Sequence, residues 1–323
     1  MSEIKLSYVI TTFNKLPYLK EVMRLLLQNV QPNEEIVIAD GSSTDGTKEY
    51  LQKLFEEGAI HQFISEKDKG EAHGYNKTLL MAKGDLIKVI TDDDVFNYSY
   101  IRRMKEFMIT NPDIDVMTGN IISVNVMQPV TFFEWRKSYQ IWFEQWVNKE
   151  FSSTFFSCLP LMIRKSSCSL IGLFDTSFKH VDLEYSVRLT ALNRKVAFFT
   201  GIVAIGLVNS QSVSAQEVSY TTVFKNELKR LQGNFNYIHR QGVKTFSVPW
   251  IRKNIFEKNT ILWKFADKFQ LFTAQKKDYP LHDVKLQENV PIQSMDIPGL
   301  FEYFELYMKG SFSHPGPERF ITS

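Results

Sequence analysis

The sequence predicts an α/β fold with a mainly parallel central sheet covered by helices. The first observation is that strand-like and helix-like segments alternate through the first hundred residues. The second is that polar residues directly follow several apolar segments, which is typical of the ligand-binding edge of a parallel sheet. The predicted elements are strand 6–13, helix 16–30, strand 35–40, helix 43–58, strand 61–66, helix 71–84 and strand 85–91.

Each of these elements has a local reason. The strands are rich in β-branched and apolar residues, which favour a pleated and half-buried surface. The helix at 16–30 has Pro17 in its first turn, where proline is compatible with the helix. The helix at 43–58 opens with a Ser-Thr-Asp capping cluster and ends at Gly58. We therefore interpret residues 43–45 as caps rather than as ligands.

Beyond residue 100 the alternation becomes less regular. The pattern predicts a helix at 99–110, a strand at 115–126, a helix at 181–193 and strands within 195–208. We expect a first domain at residues 1–215 and a mostly helical C-terminal extension at residues 216–323. The last segment, 310–323, is expected to be poorly ordered because it is polar and rich in Pro and Gly.

A row of aromatic residues lies between the predicted strand at 115–126 and the predicted helix at 181–193. Trp135, Tyr139, Trp142 and Trp146 recur at helical spacing. Such a row can stack on a sugar, but large aromatic residues at this spacing more often belong to a core. We favour the core.

Composition excludes several classes of protein. The formal net charge of the 323 residues is +2, which argues against a dedicated nucleic-acid binder. Cys158 and Cys168 form neither a CxxC pair nor a zinc pattern, so we expect no disulfide framework. No window reaches ~18 uninterrupted apolar residues and no signal peptide is recognised. A reducing cytoplasm is the expected compartment, with any membrane contact peripheral. Oligomeric state is not predicted.

Three consecutive carboxylates, Asp92, Asp93 and Asp94, follow the strand at 85–91. Like charges repel, so a positive group is expected among them. For a cluster of oxygen ligands the natural candidate is a hard divalent cation, Mg²⁺ or Mn²⁺. A solvated acidic turn is the alternative, which the preceding apolar strand disfavours.

Five segments in this order resemble the family 2 glycosyltransferases of the GT-A fold. They are "VITTFN" (9–14), "EIVIADGSSTDGT" (35–47), "EKDKGEAHGYNKTLLMAKGD" (66–85), "ITDDDVF" (90–96) and "LIGLFDTSFKHVDLEYSVRL" (170–189). The resemblance covers about residues 5–210. It implies a metal-dependent, inverting transfer from a nucleotide-diphospho-sugar, with a UDP-sugar favoured, to a hydroxyl of a glycan or lipid-linked acceptor. Bacterial surface polysaccharide biosynthesis is the implied setting.

The resemblance also implies roles for individual residues. It places the metal on Asp93 and Asp94, within the segment that matches the family's DXD motif. It makes Asp182 the base that takes the proton of the acceptor hydroxyl, and a position near a helix start is expected to favour the ionised form. The residues implied to bind the nucleotide are Thr11, Thr12, Asp40, Asp68, Asn76 and Asp92.

Other interpretations of these residues stay open. Asn76 is equally well explained as helix-surface polarity, and Glu184 and Arg188 are better explained as a helical salt bridge than as catalytic groups. Departures from the family pattern at His73, Gly74, Thr91 and Asn209 keep a catalytically degenerate nucleotide-sugar-binding protein as the alternative function. Asn209 stands where many relatives have a metal-binding His. The chain offers neither the Gly-rich phosphate loop of a nucleotidyltransferase nor the GxGxxG run of a dehydrogenase.

A basic and aromatic segment lies in the C-terminal extension. Residues 244–277 contain eight Lys or Arg and two acidic residues, interleaved with aromatic residues. Such a segment can lie on an anionic membrane surface, or it can be an ordinary packed helix with a solvated basic face. Both interpretations stay open.

Overall fold

The computed structural model describes residues 4–127, 131–134, 136–212, 220–235, 292–310 and 318–323. Within these residues ten strands form one mixed sheet. They are β1 (Leu6–Thr12), β2 (Glu34–Asp40), β3 (Gln62–Ser65), β4 (Leu86–Ile90), β5 (Val95–Phe96), β6 (Val116–Asn125), β7 (Thr131–Glu134), β8 (Met162–Arg164), β9 (Val196–Val208) and β10 (Phe320–Thr322). The helices are α1 (Leu16–Asn29), α2 (Thr47–Glu56), α3 (Glu71–Met81), α4 (Tyr98–Thr110), α5 (Arg136–Val147), α6 (Cys168–Ile171), α7 (Val181–Ala191), α8 (Tyr220–Phe235) and α9 (Ile297–Gly310).

Half of the sheet is parallel and sets the position of the site. The strand order is β10-β9-β6-β8-β4-β1-β2-β3, and β4, β1, β2 and β3 run parallel. Thr12 pairs in register with Asp40, and Ile10 pairs with Ile90. The C-terminal ends of these strands therefore meet at one edge, as the alternation of elements predicts.

The other half of the sheet is mixed. β8 runs antiparallel between β4 and β6, whereas β6 and β9 are parallel. β5 pairs antiparallel with β9, so the segment that follows the acidic residues is joined to the far half of the sheet. The predicted α/β class with a mostly parallel sheet is confirmed.

The end of the chain is more ordered than its composition suggests. β10 pairs antiparallel with the exposed edge of β9, and the Phe320 ring stacks on Phe107 at 4.0 Å between centroids. The expectation of a poorly ordered tail is therefore wrong for 320–322, because an unpaired sheet edge and a cluster of aromatic rings are available to three residues. α9 packs against α1, and its Phe301 and Phe304 are fully buried. The domain boundary near residue 215 stays a prediction.

Two further expectations about the outer elements can be compared with the structure. Tyr139 and Trp146 of α5 are buried in the main core, which confirms the core interpretation for them, whereas Trp135 lies outside the described residues. The basic segment 244–277 also lies outside them. None of the helices that the structure describes is long and apolar enough to cross a bilayer.

Candidate active site

The ends of β1 and β2 present the first polar side chains of the site. Thr11 and Thr12 are nearly fully buried at the end of β1, and Thr12 lies beside Asp92. The hydroxyl of Thr12 is buried and interacts with the carboxylate of Asp92. Thr12 therefore joins the end of β1 to the acidic residues that follow β4.

Asp40 is placed at the predicted edge, but it has partners within the protein. Its carboxylate accepts hydrogen bonds from Ser43 N at 3.2 Å and from Ser65 Oγ at 2.6 Å. The side chain is fully buried. Asp40 thus closes the turn after β2, and its contact with a nucleoside stays a prediction.

Asp68 and an aromatic ring stand next to this turn. A Cβ placed on Gly41 would lie 2.9 Å from Asp68 Oδ2 and 3.3 Å from Phe13 Cδ2, so both side chains lie close to the backbone of this turn. The Phe13 side chain is 57% exposed. Sequence reasoning did not single out Phe13, although an exposed aromatic directly after a strand end is a signal for a stacking site.

Helix α3 contacts β1 more closely than an alanine would allow. A Cβ on Gly74 would lie 1.8 Å from Thr11 Oγ1 and 2.8 Å from Thr11 Cβ. The departure from the family pattern at Gly74 is therefore a packing requirement. Asn76, two residues further on, donates from Nδ2 to Phe174 O at 2.8 Å and accepts from Phe174 N at 2.9 Å. These bonds favour an anchoring role for Asn76 over direct contact with a nucleotide.

The acidic cluster, Asp92–Asp94, is buried beyond β4, and the ammonium of Lys15 lies within it. Lys15 Nζ is 2.6 Å from Asp93 Oδ2 and 3.3 Å from Asp92 Oδ1. Burial lowers the pKa of Lys15, but the carboxylates of Asp92 and Asp93 more than offset this and raise it above its usual value. The expected positive group is thus present, and the chain itself supplies it.

Asp94 faces the opposite side of the acidic cluster. Its Oδ1 accepts from Leu207 N of β9 at 2.7 Å, and its Oδ2 accepts from Thr91 Oγ1. Burial and the charge of Asp93 raise the pKa of Asp94. Since both oxygens are engaged with the protein, the bonds favour a structural role for Asp94, and metal ligation by it stays a prediction.

Asn209 does reach the acidic cluster, as its position in the sequence suggests. It is buried and donates from Nδ2 to Asp93 Oδ2 at 3.0 Å, while its Oδ1 accepts from Gln211 N at 2.9 Å. Its amide oxygen therefore points away from Asp93, and Asn209 supports the carboxylate as a hydrogen-bond donor.

The candidate base, Asp182, lies in the first turn of α7 and is partly exposed. Burial raises the pKa of its carboxyl above the ordinary value, although the charge of His180 and the Leu183 N–H lower it. Burial therefore outweighs the effect of the helix start, contrary to the expectation of a favoured ionised form. A raised pKa brings the carboxylate closer to the basicity needed near neutral pH.

Glu71 interacts electrostatically with both Asp182 and the acidic cluster. Desolvation and the charges of Asp182, Asp92 and Asp93 raise the pKa of its carboxyl to about 7, although the residue is partly open to solvent. These interactions place Glu71 near both the candidate base and the acidic cluster. Sequence reasoning missed Glu71 because only Asp68, Gly70 and Asn76 match the motif around it.

Helix α7 is anchored on two sides. Arg188 pairs with Glu184 at 2.6 Å and donates to Leu173 O at 2.7 Å, which confirms the helical salt bridge. On the other side, Glu227 of α8 is buried against the residues that precede Asp182. Its carboxylate accepts from Lys179 N at 2.6 Å and contacts His180 Nδ1 at 2.5 Å.

Comparison of the sequence with models of known protein families identifies the family of this chain. The model of glycosyl transferase family 2 matches residues 7–172, just over half of the chain. The chain belongs to this family. The match includes the acidic cluster and ends before Asp182, so the role of Asp182 stays a prediction.

Family 2 relatives are similar over part of their length. A Bacillus subtilis protein, TuaG, whose name places it in teichuronic acid biosynthesis, is 28% identical over 114 residues, which cover 35% of this chain and 45% of TuaG. The chain thus spans less than half of that relative.

Solved structures agree with the fold. S. aureus TarS in complex with UDP-GlcNAc has a TM-score of 0.50 at 14% identity, covering 74% of this chain and 70% of TarS. The mannosyltransferase PcManGT of Pyrobaculum calidifontis, in complex with GDP-Man and Mn²⁺, has a TM-score of 0.54 at 15% identity, covering 70% of this chain and 63% of PcManGT. These likenesses confirm the GT-A fold.

The family 2 fold raises the question of a metal. Among the described residues no group of three or more His, Cys, Asp or Glu side chains is suited to hold a metal ion. Nevertheless, Asp92 and Asp93 both contact the Lys15 ammonium, so their carboxylates point toward one position that a cation can occupy. Two carboxylates and substrate phosphates are a usual ligand set for Mg²⁺, so these residues fit a divalent cation that arrives with a nucleotide.

Proposed function

We propose that the protein is an inverting glycosyltransferase that moves a sugar from a nucleotide-diphospho-sugar to a hydroxyl of a glycan or lipid-linked acceptor. The observation that carries this proposal is the electrostatic interaction of Glu71 with Asp182 on one side and with Asp92 and Asp93 on the other, which brings the candidate base and the acidic cluster to the same part of the protein. Inversion needs a base on the face of the sugar opposite the leaving diphosphate, and two separated acidic groups satisfy that requirement.

The nucleotide would lie along the ends of β1 and β2. The exposed ring of Phe13 can stack on a base, since every nucleobase has an aromatic face. Asp40, Asp68 and Thr12 offer hydrogen-bonding groups beside it. Complexes of the two structural neighbours contain a UDP-sugar and a GDP-sugar, and we favour a UDP-sugar for this chain.

Asp92 and Asp93 would hold a divalent cation, Mn²⁺ or Mg²⁺, next to the diphosphate. When bound, such an ion supplies positive charge to the departing diphosphate. Asn209 would orient the carboxylate of Asp93 by donating to Oδ2, the oxygen that Lys15 contacts in the absence of a nucleotide. Asp94 would contribute mainly by joining this segment to β9 through Leu207 N.

Asp182 would accept the proton of the acceptor hydroxyl as the oxygen attacks the anomeric carbon. Its raised pKa makes it a stronger base than an ordinary Asp, and the residue is partly exposed. The name of TuaG, which refers to teichuronic acid biosynthesis, supports a glycan acceptor. A cytoplasmic location with peripheral membrane contact belongs to the same proposal.

A donor-binding panel tests the function. Calorimetry and thermal shift are measured with UDP, GDP, CMP and their common sugars, with Mn²⁺, Mg²⁺ or EDTA, on the wild type and on Asp93→Ala. We expect one nucleotide to raise the melting temperature with metal only, and the variant to lose that effect. Binding by no nucleotide would contradict the proposal, whereas binding without any product would favour the degenerate binder.

A further inference from the structure

The side chain of Lys15 occupies the point at which two carboxylates of the acidic cluster converge. Its Nζ lies 2.6 Å from Asp93 Oδ2 and 3.3 Å from Asp92 Oδ1, and 12% of the side chain is exposed. A divalent cation held by Asp92 and Asp93 would need the same oxygens. An ammonium and a metal ion cannot share this position, because both are cations and both need close oxygen neighbours.

The backbone around Lys15 is fixed on both sides. Asn14 N donates to Ser43 Oγ at 2.8 Å, and Asn14 Oδ1 accepts from Thr44 N at 2.8 Å. On the other side, Leu16 N donates to Asp45 Oδ2 at 2.9 Å. Ser43 and Thr44, which the sequence predicted as caps, thus bond to Asn14, while the N-cap of α2 is Gly46 without a side-chain cap hydrogen bond. Residues 43–45 instead anchor the loop that positions Lys15. Any movement must occur in the lysine side chain, which has a flexible four-carbon stem.

A buried carboxylate cluster needs a counter-charge in the absence of ligand. Unpaired buried charges are costly, and removing one partner of such a pair leaves the other uncompensated. Lys15 supplies this counter-charge within the chain. The hydroxyl of Thr12 is buried beside Asp92 and faces the same part of the site.

We propose that Lys15 is an exchangeable counter-cation. Its ammonium neutralises Asp92 and Asp93 in the nucleotide-free protein and leaves them when a divalent cation enters with a nucleoside diphosphate, to which the ammonium can then donate. This inference rests on the proposed function. It implies that the nucleotide-free protein binds metal weakly because its own side chain competes for the ligands.

The test is a Mn²⁺ titration of the full chain without nucleotide, followed by the electron paramagnetic resonance signal of free Mn²⁺. Removing the ammonium in Lys15→Met is expected to tighten Mn²⁺ binding by about tenfold or more, the lower end of effects seen around metal sites. Lys15→Arg keeps the charge and is expected to bind as the wild type does. The exposed Lys48 provides the matched control Lys48→Met.

Two further variants make the outcome decisive. Lys15→Met/Asp93→Asn should lose the gained affinity, since the released carboxylate is then missing. Lys15→Gln is measured in the same way, in case Lys15→Met fails to fold. Neutral variants that bind Mn²⁺ no more tightly than the wild type would overturn the proposal.

Calorimetry with UDP and GDP on the same samples separates the two levels of the argument. If the neutral Lys15 variants bind Mn²⁺ more tightly but no nucleotide binds, the result supports the role of Lys15 and contradicts the proposed function. If a nucleotide binds but the variants bind Mn²⁺ no more tightly than the wild type, the result supports the proposed function and contradicts the role of Lys15.

Discussion

The imidazole of His180 contacts the carboxylate of Glu227 at 2.5 Å between Nδ1 and Oε2, and both side chains are buried. The same carboxylate accepts the backbone N–H of Lys179 at 2.6 Å. Helix α8 thereby holds the residues that lead into α7, two positions before the candidate base. Leu231 of α8 belongs to the same small apolar cluster as Leu183 and Val187 of α7.

We therefore expect Glu227→Gln to lower kcat by about tenfold while leaving KM for the donor near the wild-type value. Small displacements of a reacting group are costly, with losses of about 100-fold per ångström in unfavourable cases. Steady-state kinetics with a fixed acceptor, or donor hydrolysis in its absence, measures the effect. The control is Asn226→Ala, at an exposed neighbour on α8. A Glu227→Gln protein with wild-type kcat would show that α8 has no part in positioning Asp182.

Gly74→Ala tests the close contact between α3 and β1. Alanine normally stabilises a helix by roughly 1 kcal/mol relative to glycine, but here the new Cβ would lie 1.8 Å from Thr11 Oγ1. We expect the melting temperature to fall, by the equivalent of about 1–3 kcal/mol, and nucleotide affinity to weaken. Gly233→Ala on α8 is the control, since nothing lies within 4 Å of its Cβ. A more stable Gly74→Ala variant would refute the contact.

The raised pKa of Glu71 leads us to expect that the free energy of unfolding depends on pH. Its pKa is raised to about 7 from 4.5, so folding favours the protonated carboxyl. The stabilising contribution is present at acid pH and is lost as the pH rises through about 7. Because the side chain is exposed, solvent screening limits the effect to about 1 kcal/mol or less.

Glu71→Gln should consequently lose less stability than the wild type between pH 5.5 and pH 8, as measured by denaturant unfolding without ligand. Glu49→Gln, at an exposed position on α2, should follow the wild-type curve. If the free energy of unfolding depends on pH in the same way in all three proteins, the surroundings of Glu71 do not raise its pKa.

The chain end is predicted to stabilise the fold. Phe320 stacks on Phe107 and contacts Phe199 at 5.0 Å between centroids. Phe320→Ala is expected to reduce the free energy of unfolding by about 1–3 kcal/mol, less than for a fully buried ring because Phe320 is only partly buried. Leu306→Ala, at a side chain that is 60% exposed, should have little effect. Equal stability of the two variants would argue against the docked strand.

The fold and the family followed from the sequence because their signals are local and ordered. Alternating strands and helices predict the sheet edge, and the register of Thr12 with Asp40 agrees with it. The strand β10 was not predicted, because three residues are too few to show the alternation typical of a strand. Their pairing also depends on an edge of β9 that is distant in sequence.

The sequence predicted the position of Asp40 and Asp92–Asp94 at the strand ends, and their roles in a site stay predictions. Lys15 was not recognised because a lysine before a helix reads as an ordinary solvated residue. Its contact with Asp93 joins residues 78 positions apart. Glu227 was missed for the same reason, since no motif relates α8 to α7. For Asn76 the motif was present, but its side chain bonds to the backbone of Phe174. A position that matches the motif can therefore have a structural role.

The most direct test of the account compares binding with chemistry in Asp182→Asn. Calorimetry gives the affinity for the donor identified in the panel, and release of nucleoside diphosphate gives the rate of transfer or hydrolysis. We predict an affinity within about twofold of the wild type, because Asp182 does not contact the nucleotide in this account, and a rate lower by about 100-fold or more, as expected for loss of a general base. A variant that binds the donor and turns it over at the wild-type rate would contradict the assignment of Asp182 as the base.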